Sequence, residues 1–207
     1  PALVGNSVVW KPSENAVLSN YKVLEAFEEA GVPDGVINFV PGDAQQVTEA
    51  VLSNPEFAAL HFTGSTKVFQ DLYQQIASNL PKYKSYPRIV GETGGKNFHF
   101  VHPSADAIHA ARSTVRGAFE YQGQKCSATS RTYVPKSLWP EFKQALVSET
   151  QALTQGNSLK SSEFTSFMGP VIHDRSFAKV SEAITAHKQD SQLELIAGGG
   201  FDDKAGY

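Results

Sequence analysis

Two side chains in this sequence have the chemistry of a nucleophile and of a general base. Cys126 is the single cysteine and lies in the glycine-containing segment 123–127, while Glu92 lies in the glycine-rich segment 91–97. A thiolate is the side chain closest to a reactive nucleophile at neutral pH, and a carboxylate whose pKa is raised by burial can act as a base. An inert buried thiol beside a solvated carboxylate is the alternative for two such residues. The residues around both positions favour the catalytic interpretation.

The composition limits which partners the protein can have. The 207 residues are 41% hydrophobic and 19% charged, which is typical of one large or two small soluble domains. A net charge of -3 provides no basic field for nucleic acid, and no apolar run approaches the roughly 18 residues that span a bilayer. One cysteine excludes an intramolecular disulfide, and the histidines lack the spacing of a zinc site. We expect no metal, no nucleic acid and no membrane.

Short β-rich runs alternate with helical patterns along the chain. Strands are predicted at residues 7–11, 36–40, 59–63, 88–90, 98–101, 132–134 and 193–197. This alternation is typical of an α/β fold with a parallel sheet, which binds its ligands at the carboxyl ends of the strands. Lys11, Gly42, Ser65 and Glu92 each follow a strand, so we expect them to line a shared cleft. The glycine pair at 94–95 is the predicted boundary or hinge between two lobes.

Two segments could bind a dinucleotide, although none carries a Gly-x-Gly-x-x-Gly fingerprint. Lys11 and Glu14 at a strand tip could both reach a ribose; the alternative is a cap made by Ser13 together with a surface ion pair. Gly64 and Ser65 open a helix, where free N–H groups and the helix dipole attract phosphate. An ordinary glycine turn with a serine cap is the alternative there.

Four segments, in order, resemble the signature blocks of the aldehyde dehydrogenase superfamily: residues 11–14, 62–66, 92–97 and 123–126. Residues 168–172 resemble the Gly-Pro block that follows the catalytic cysteine in that family. Residues 87–102 and 118–128 are further similar to the Δ1-pyrroline-5-carboxylate dehydrogenases, which oxidise glutamate γ-semialdehyde in proline catabolism. The resemblance covers essentially the whole chain. It implies a variant Rossmann-like NAD-binding lobe at residues 1–94 and an α/β catalytic lobe at residues 95–207, both incomplete.

The resemblance also implies a role for individual residues. Cys126 would attack an aldehyde to form a thiohemiacetal, hydride would pass to NAD, and Glu92 would activate the water that hydrolyses the resulting thioester. Lys125 and Ser127 would hold the carboxylate of the substrate. Glu14 would repel a 2′-phosphate, which favours NAD over NADP. The implied cofactor-binding residues are Lys11, Pro12, Glu14, Gly42, Gly64 and Ser65.

Several expectations concern the protein as a whole. The first residues carry no targeting signal, and we expect an internal fragment of a longer enzyme that has little turnover alone. The resemblance implies a homo-oligomer in the mitochondrial matrix. Three alternatives stay open: an aldehyde dehydrogenase for another semialdehyde, a non-catalytic binding module on the same scaffold, and a thiol hydrolase in which a histidine approaches Cys126.

Overall fold

The chain folds into two compact units that both mix helices with parallel strands. A computed structural model describes residues 1–157, 159–160, 162 and 164–204. The units comprise Pro1–Thr93 and Gly94–Tyr207, so the division falls at the predicted glycine pair. The predicted α/β class is confirmed. The assignment of the two units to cofactor binding and to catalysis stays a prediction.

The first unit consists of two strand–helix–strand segments joined by a further helix. In chain order its elements are β1 (Val8–Trp10), α1 (Val17–Glu29), β2 (Ile37–Phe39), α2 (Ala44–Leu52), β3 (Ala59–Thr63), α3 (Thr66–Asn79) and β4 (Arg88–Glu92). Strand β1 pairs in parallel with β2, and β3 pairs in parallel with β4. Among the described residues these four strands therefore form two two-stranded sheets and not one hydrogen-bonded sheet.

Helix α1 ends just before Gly31, as expected for a glycine that is followed two residues later by a proline. Gly31 has φ 87°, a left-handed conformation that glycine adopts without steric penalty, and the N–H of Val32 donates to the carbonyl of Phe27 at 3.0 Å. The apolar residues that recur at helical spacing on α1 (Leu18, Tyr21, Leu24 and Phe27) are mostly exposed. Leu24 is 7% exposed, whereas Leu18 is 72% exposed. A sheet of two three-residue strands is too narrow to cover more of these side chains.

A core beneath α3 holds the third and fourth strands in place. Its buried members are Leu52, Phe57, Leu72 and Ile76. Leu72 and Ile76 lie four residues apart on one face of α3, as the helical spacing predicts, and Ile76 is 1% exposed. Leu60 and Phe62 of β3 and Ile89 of β4 pack against this core, which anchors the strand pair that ends at Glu92.

The second unit begins with a third strand–helix–strand segment. Its elements are β5 (Asn97–Phe100), α4 (Ala107–Phe119), β6 (Thr129–Tyr133), α5 (Trp139–Gln151) and α6 (Asp174–Gln189). Strands β5 and β6 are parallel, and α4 packs on α5. Ala107, Ala110 and Ala111 on α4 are buried together with Val101 and Phe142, because small side chains let the helices approach closely. Cys126 lies in the connection between α4 and β6.

One predicted strand is wrong. Residues 193–197 have an irregular backbone, and the side chains of Leu193 and Leu195 are 52% and 58% exposed. A strand needs a neighbour for its N–H and C=O groups, and none of the described segments pairs with this one. Within the described residues, no helix is long and apolar enough to cross a membrane.

Candidate active site

Cys126 is presented at the surface by a short connection between two ordered elements. Its side chain is exposed and is a free thiol. The N–H of Ala128 donates to the carbonyl of Lys125 at 3.2 Å, which folds the segment into a turn around the cysteine. Ala128 is buried, and the next residue begins β6. The cysteine is therefore held by its backbone while its sulfur stays open to a substrate.

Asn97, the first residue of β5, holds the backbone of Cys126, and Gly95 just before it lies close to the same backbone. The side-chain amide of Asn97 donates to the carbonyl of Cys126 and also to the carbonyl of Ala128, the latter at 3.3 Å. Gly95 lies against the same carbonyl: a Cβ at this position would fall 3.0 Å from the carbonyl carbon of Cys126 and 2.7 Å from the Asn97 amide nitrogen. Gly95 thus permits a close approach of two backbone segments, beyond the boundary role that its place in the sequence predicts.

The turn before the cysteine has an unusual backbone. Tyr121 and Gln122 are left-handed, with φ 53° and φ 58°, and Gly123 follows with φ 68°. The amide of Gln124 ties this turn together, because its Nε2 donates to the carbonyl of Tyr121 at 3.3 Å while its Oε1 accepts from the N–H of Ile172 at 3.0 Å. The Gly-Pro segment at 168–172, singled out in the sequence, is thereby attached to the cysteine connection.

Lys125 and Ser127 are both exposed, but only Lys125 makes side-chain contacts that hold it in place. The ammonium of Lys125 lies 2.6 Å from a carboxylate oxygen of Glu120 and 5.1 Å from the ring centroid of Tyr121. The hydrogen bond and the charge of Lys125 lower the pKa of Glu120 below its ordinary value. Among the described residues, Ser127 has no hydrogen bond through its side chain. Both residues stay predicted substrate contacts.

Glu92 is the last residue of β4, so it ends the strand instead of following it. Its carbonyl accepts a hydrogen bond from the N–H of Gly64 at 3.0 Å, and its carboxylate is exposed. None of the described side chains forms a hydrogen bond or ion pair with that carboxylate. Glu92 and Cys126 belong to different compact units, and their cooperation stays a prediction.

The Gly64–Ser65 turn lies beside Glu92 because β3 and β4 pair in register. Thr63 is opposite Glu92, and the next two residues lead into α3. A Cβ on Gly64 would lie 2.6 Å from the ring of Phe62, so this position has no room for a side chain unless that ring moves. The hydroxyl of Ser65 caps α3 by accepting from the N–H of Val68 at 3.3 Å. The serine cap is thus observed, and the phosphate contact stays a prediction.

The remaining predicted cofactor residues follow β1 and β2, which lie side by side. Lys11 comes directly after β1, and its ammonium donates a hydrogen bond to the carbonyl of Pro12. Pro12 is buried. Ser13 caps the short 3-10 turn that begins at Glu14, and Glu14 is exposed. Gly42 lies after β2, exposed, just before the residue that caps α2. The predicted cap is confirmed; no ion pair joins Lys11 to Glu14 among the described residues.

The structure therefore groups the predicted residues into three sets. Lys11, Pro12 and Glu14 share one sheet edge with Gly42, while Gly64 and Ser65 adjoin Glu92. Lys125 and Ser127 flank Cys126 in the second unit. No hydrogen bond joins the first set to the second among the described residues.

Sequence reasoning missed the residues that hold the cysteine backbone. Gly95, Asn97 and Gln124 all lie inside the motifs quoted for their resemblance, but their partners are distant in sequence. The side chains of His99 and His102 bind Thr114 and Ser104, and His173 caps α6. Within the described part of the chain, no histidine forms a hydrogen bond with the Cys126 thiol, and no cluster of metal ligands is found.

Comparison with known proteins agrees with these observations. The model of the "Aldehyde dehydrogenase family" matches residues 1–207. The chain is 57% identical over 209 residues to the mitochondrial delta-1-pyrroline-5-carboxylate dehydrogenase of Emericella nidulans, covering all of this chain and 36% of that protein. It is 50% identical to the probable delta-1-pyrroline-5-carboxylate dehydrogenase of Schizosaccharomyces pombe, covering 100% of this chain and 38% of that relative.

Solved structures show the same similarity. The NAD-bound delta-pyrroline-5-carboxylate dehydrogenase of Mycobacterium tuberculosis matches with a TM-score of 0.92 and 41% identity, over 99% of this chain and 38% of that one. The NAD-bound 1-pyrroline-5-carboxylate dehydrogenase from Thermus matches with a TM-score of 0.87 and 35% identity, over the same shares. The chain thus spans well under half the length of these relatives. Because the family match covers every residue, the chain belongs to the aldehyde dehydrogenase family.

Proposed function

We propose that this chain is part of an NAD-dependent enzyme that oxidises glutamate γ-semialdehyde to glutamate in proline catabolism. The observation that carries the proposal is the presentation of Cys126: an exposed thiol whose carbonyl is held by Asn97 and approached closely by Gly95. The relatives described above carry the name of this activity, and two solved structures contain NAD.

The residues of the first unit fit a dinucleotide. Helix α3 begins at an exposed turn where Gly64 carries no side chain and Ser65 supplies a hydroxyl, a donor set suited to a pyrophosphate. Lys11 and Glu14 offer a cation and a carboxylate for ribose hydroxyls. We propose that Pro12 and Gly42 shape the same edge, where Pro12 is buried and Gly42 has no side chain that would obstruct the ligand.

The mechanism assigns each chemical step to a side chain of this protein. The thiolate of Cys126 attacks the aldehyde carbon, and the carbonyl oxygen becomes the oxyanion of a thiohemiacetal, which the Cys126 N–H can stabilise. Bound NAD supplies the acceptor for the hydride that leaves this carbon, so that a thioester remains on the sulfur. Glu92 removes a proton from water, the hydroxide attacks the thioester, and the thiolate leaves with glutamate released. Lys125 and Ser127 bind the α-carboxylate of the substrate.

The test uses a chimera in which this chain replaces the matching segment of the Emericella nidulans relative, which restores the full length of a complete enzyme. We expect NADH formation with glutamate γ-semialdehyde and a lower kcat/KM with succinic semialdehyde or propanal. Cys126→Ser should abolish turnover, while Glu92→Gln should retain a first burst of NADH and then stall at the thioester. Equal rates on the three aldehydes would remove the substrate assignment. Unchanged turnover in Cys126→Ser would remove the mechanism.

We also propose the mitochondrial matrix as the location and a homo-oligomer as the assembly. The relatives from Emericella nidulans and Dictyostelium discoideum are named mitochondrial enzymes. Fluorescence of a tagged full-length protein against a matrix marker tests the location, and light scattering of the purified protein tests the assembly. A cytosolic signal or a monomeric mass would contradict the respective proposal.

A further inference from the structure

The ammonium group of Lys125 is held from two sides by the residues that precede it in the turn. The carboxylate oxygen Oε2 of Glu120 lies 2.6 Å from Nζ, and the ring centroid of Tyr121 lies 5.1 Å from it. The other carboxylate oxygen of Glu120 lies 3.7 Å from the guanidinium of Arg116. We call Glu120 and Tyr121 the lysine cradle.

The backbone of the cradle is strained in a way that packing does not explain. Tyr121 adopts φ 53° and ψ 37°, a left-handed conformation that a side-chain-bearing residue rarely accepts. Tyr121 is 68% exposed, so burial of its apolar surface compensates little for the strain. This conformation places the aromatic face of Tyr121 next to the Lys125 ammonium, and such a face attracts a cation. Strain of this kind concentrates at binding and catalytic sites.

The charges of the cluster leave the lysine available to an anion. Two positive groups, Arg116 and Lys125, and one negative group, Glu120, give a net charge of +1 (two minus one). An ammonium has three N–H donors, and Glu120 takes one of them. Two donors remain for a substrate carboxylate. Glu120 can therefore hold Lys125 without neutralising the cluster.

We infer that Glu120 and Tyr121 are positioning residues that fix the Lys125 ammonium beside Cys126 and so determine the preference for an aldehyde that carries a carboxylate. This inference rests on the proposed function. A free lysine side chain loses most of its rotamer freedom when it binds an anion, whereas a lysine already held in the cradle has lost that freedom on folding. The cradle should therefore lower KM for a carboxylated aldehyde, by up to roughly tenfold, and leave kcat unchanged.

The experiment is a double-mutant cycle in the chimera, with glutamate γ-semialdehyde and propanal as substrates. Glu120→Gln should raise KM for the semialdehyde roughly three- to tenfold without changing kcat or the KM for propanal. Lys125→Met should raise the same KM further, and Glu120→Gln should have no additional effect in the Lys125→Met background. Glu149→Gln is the matched control, because it removes the same charge from an exposed ion pair with Arg112 on α4.

Each outcome of the cycle decides one point. A chimera that oxidises no aldehyde contradicts the proposed function itself. Normal oxidation with an unchanged substrate preference in Lys125→Met contradicts the role of the lysine. Additive effects of the two substitutions, or a KM that falls in Glu120→Gln, overturn the cradle inference alone.

A second measurement needs no turnover and uses the 207-residue chain. Carbon NMR of the Glu120 carboxyl group should report a pKa below its ordinary value, and Lys125→Met should return that pKa toward the ordinary range. Tyr121→Phe, which keeps the aromatic face, should leave the Glu120 titration unchanged. An ordinary Glu120 pKa in the unsubstituted chain would show that the ion pair does not form in solution and would overturn the inference.

Discussion

Replacing Gly95 by alanine separates two roles that this glycine could have. If Gly95 served as a flexible joint, alanine would reduce the freedom of the unfolded chain and stabilise the protein by about 0.4–1 kcal/mol. The structure predicts the opposite sign. The added Cβ would lie 3.0 Å from the carbonyl carbon of Cys126, nearer still to its oxygen, and 2.7 Å from the Asn97 amide. Two backbone segments would have to separate, at a cost of about 1–3 kcal/mol.

The same displacement of the Cys126 backbone should also lower kcat. Relieving the overlap moves the Cys126 carbonyl by roughly 1 Å, and a nucleophile misplaced by that amount loses about a hundredfold in kcat. The stability change is measured by urea unfolding of the 207-residue chain, and kcat is measured in the chimera. Alkylation of the Cys126 thiol in the chain gives an independent measure of its presentation.

Gly200→Ala is the matched control for this prediction. A Cβ at Gly200 meets no atom within 4 Å, so alanine there should be neutral or slightly stabilising and should leave kcat unchanged. A stabilised Gly95→Ala variant with unchanged kcat would refute the close-approach reasoning and would restore the hinge interpretation.

Two further perturbations have matched controls within the chain. Ser65→Ala removes the hydroxyl that caps α3, so it should lower the free energy of unfolding by about 1 kcal/mol and weaken NAD binding. The control Ser78→Ala loses only a hydrogen bond to the Gln74 carbonyl on the same helix and should change stability by less than about 0.5 kcal/mol. Equal losses in the two variants would contradict the capping role. Phe142 is 1% exposed, so Phe142→Ala should lower the free energy of unfolding, measured with urea, by about 3–5 kcal/mol. Phe100 is 69% exposed, so Phe100→Ala should lower it little. Similar losses in the two variants would contradict the described core.

Local chemistry made much of this fold predictable. Strands β1 to β5 lie within two residues of their predicted bounds because runs of β-branched and aromatic residues are bounded by turn residues, whereas β6 begins at Thr129, three residues before its predicted start. Gly31 ends α1 and Ser65 begins α3, since caps depend on one residue and its immediate neighbours. Segment 193–197 has a similar composition and forms no strand, because a strand also requires a partner, which no local pattern supplies.

The sequence by itself determined the residues capable of chemistry, the family that they resemble and the order of helices and strands. Only the tertiary structure decided what holds the nucleophile. Asn97 lies 29 positions from Cys126, and Gln124 lies 48 positions from Ile172. Contacts over such separations depend on the path of the backbone, which brings the start of β5 under the cysteine connection. A motif therefore identifies a reactive side chain, whereas its orientation depends on residues that packing brings to it.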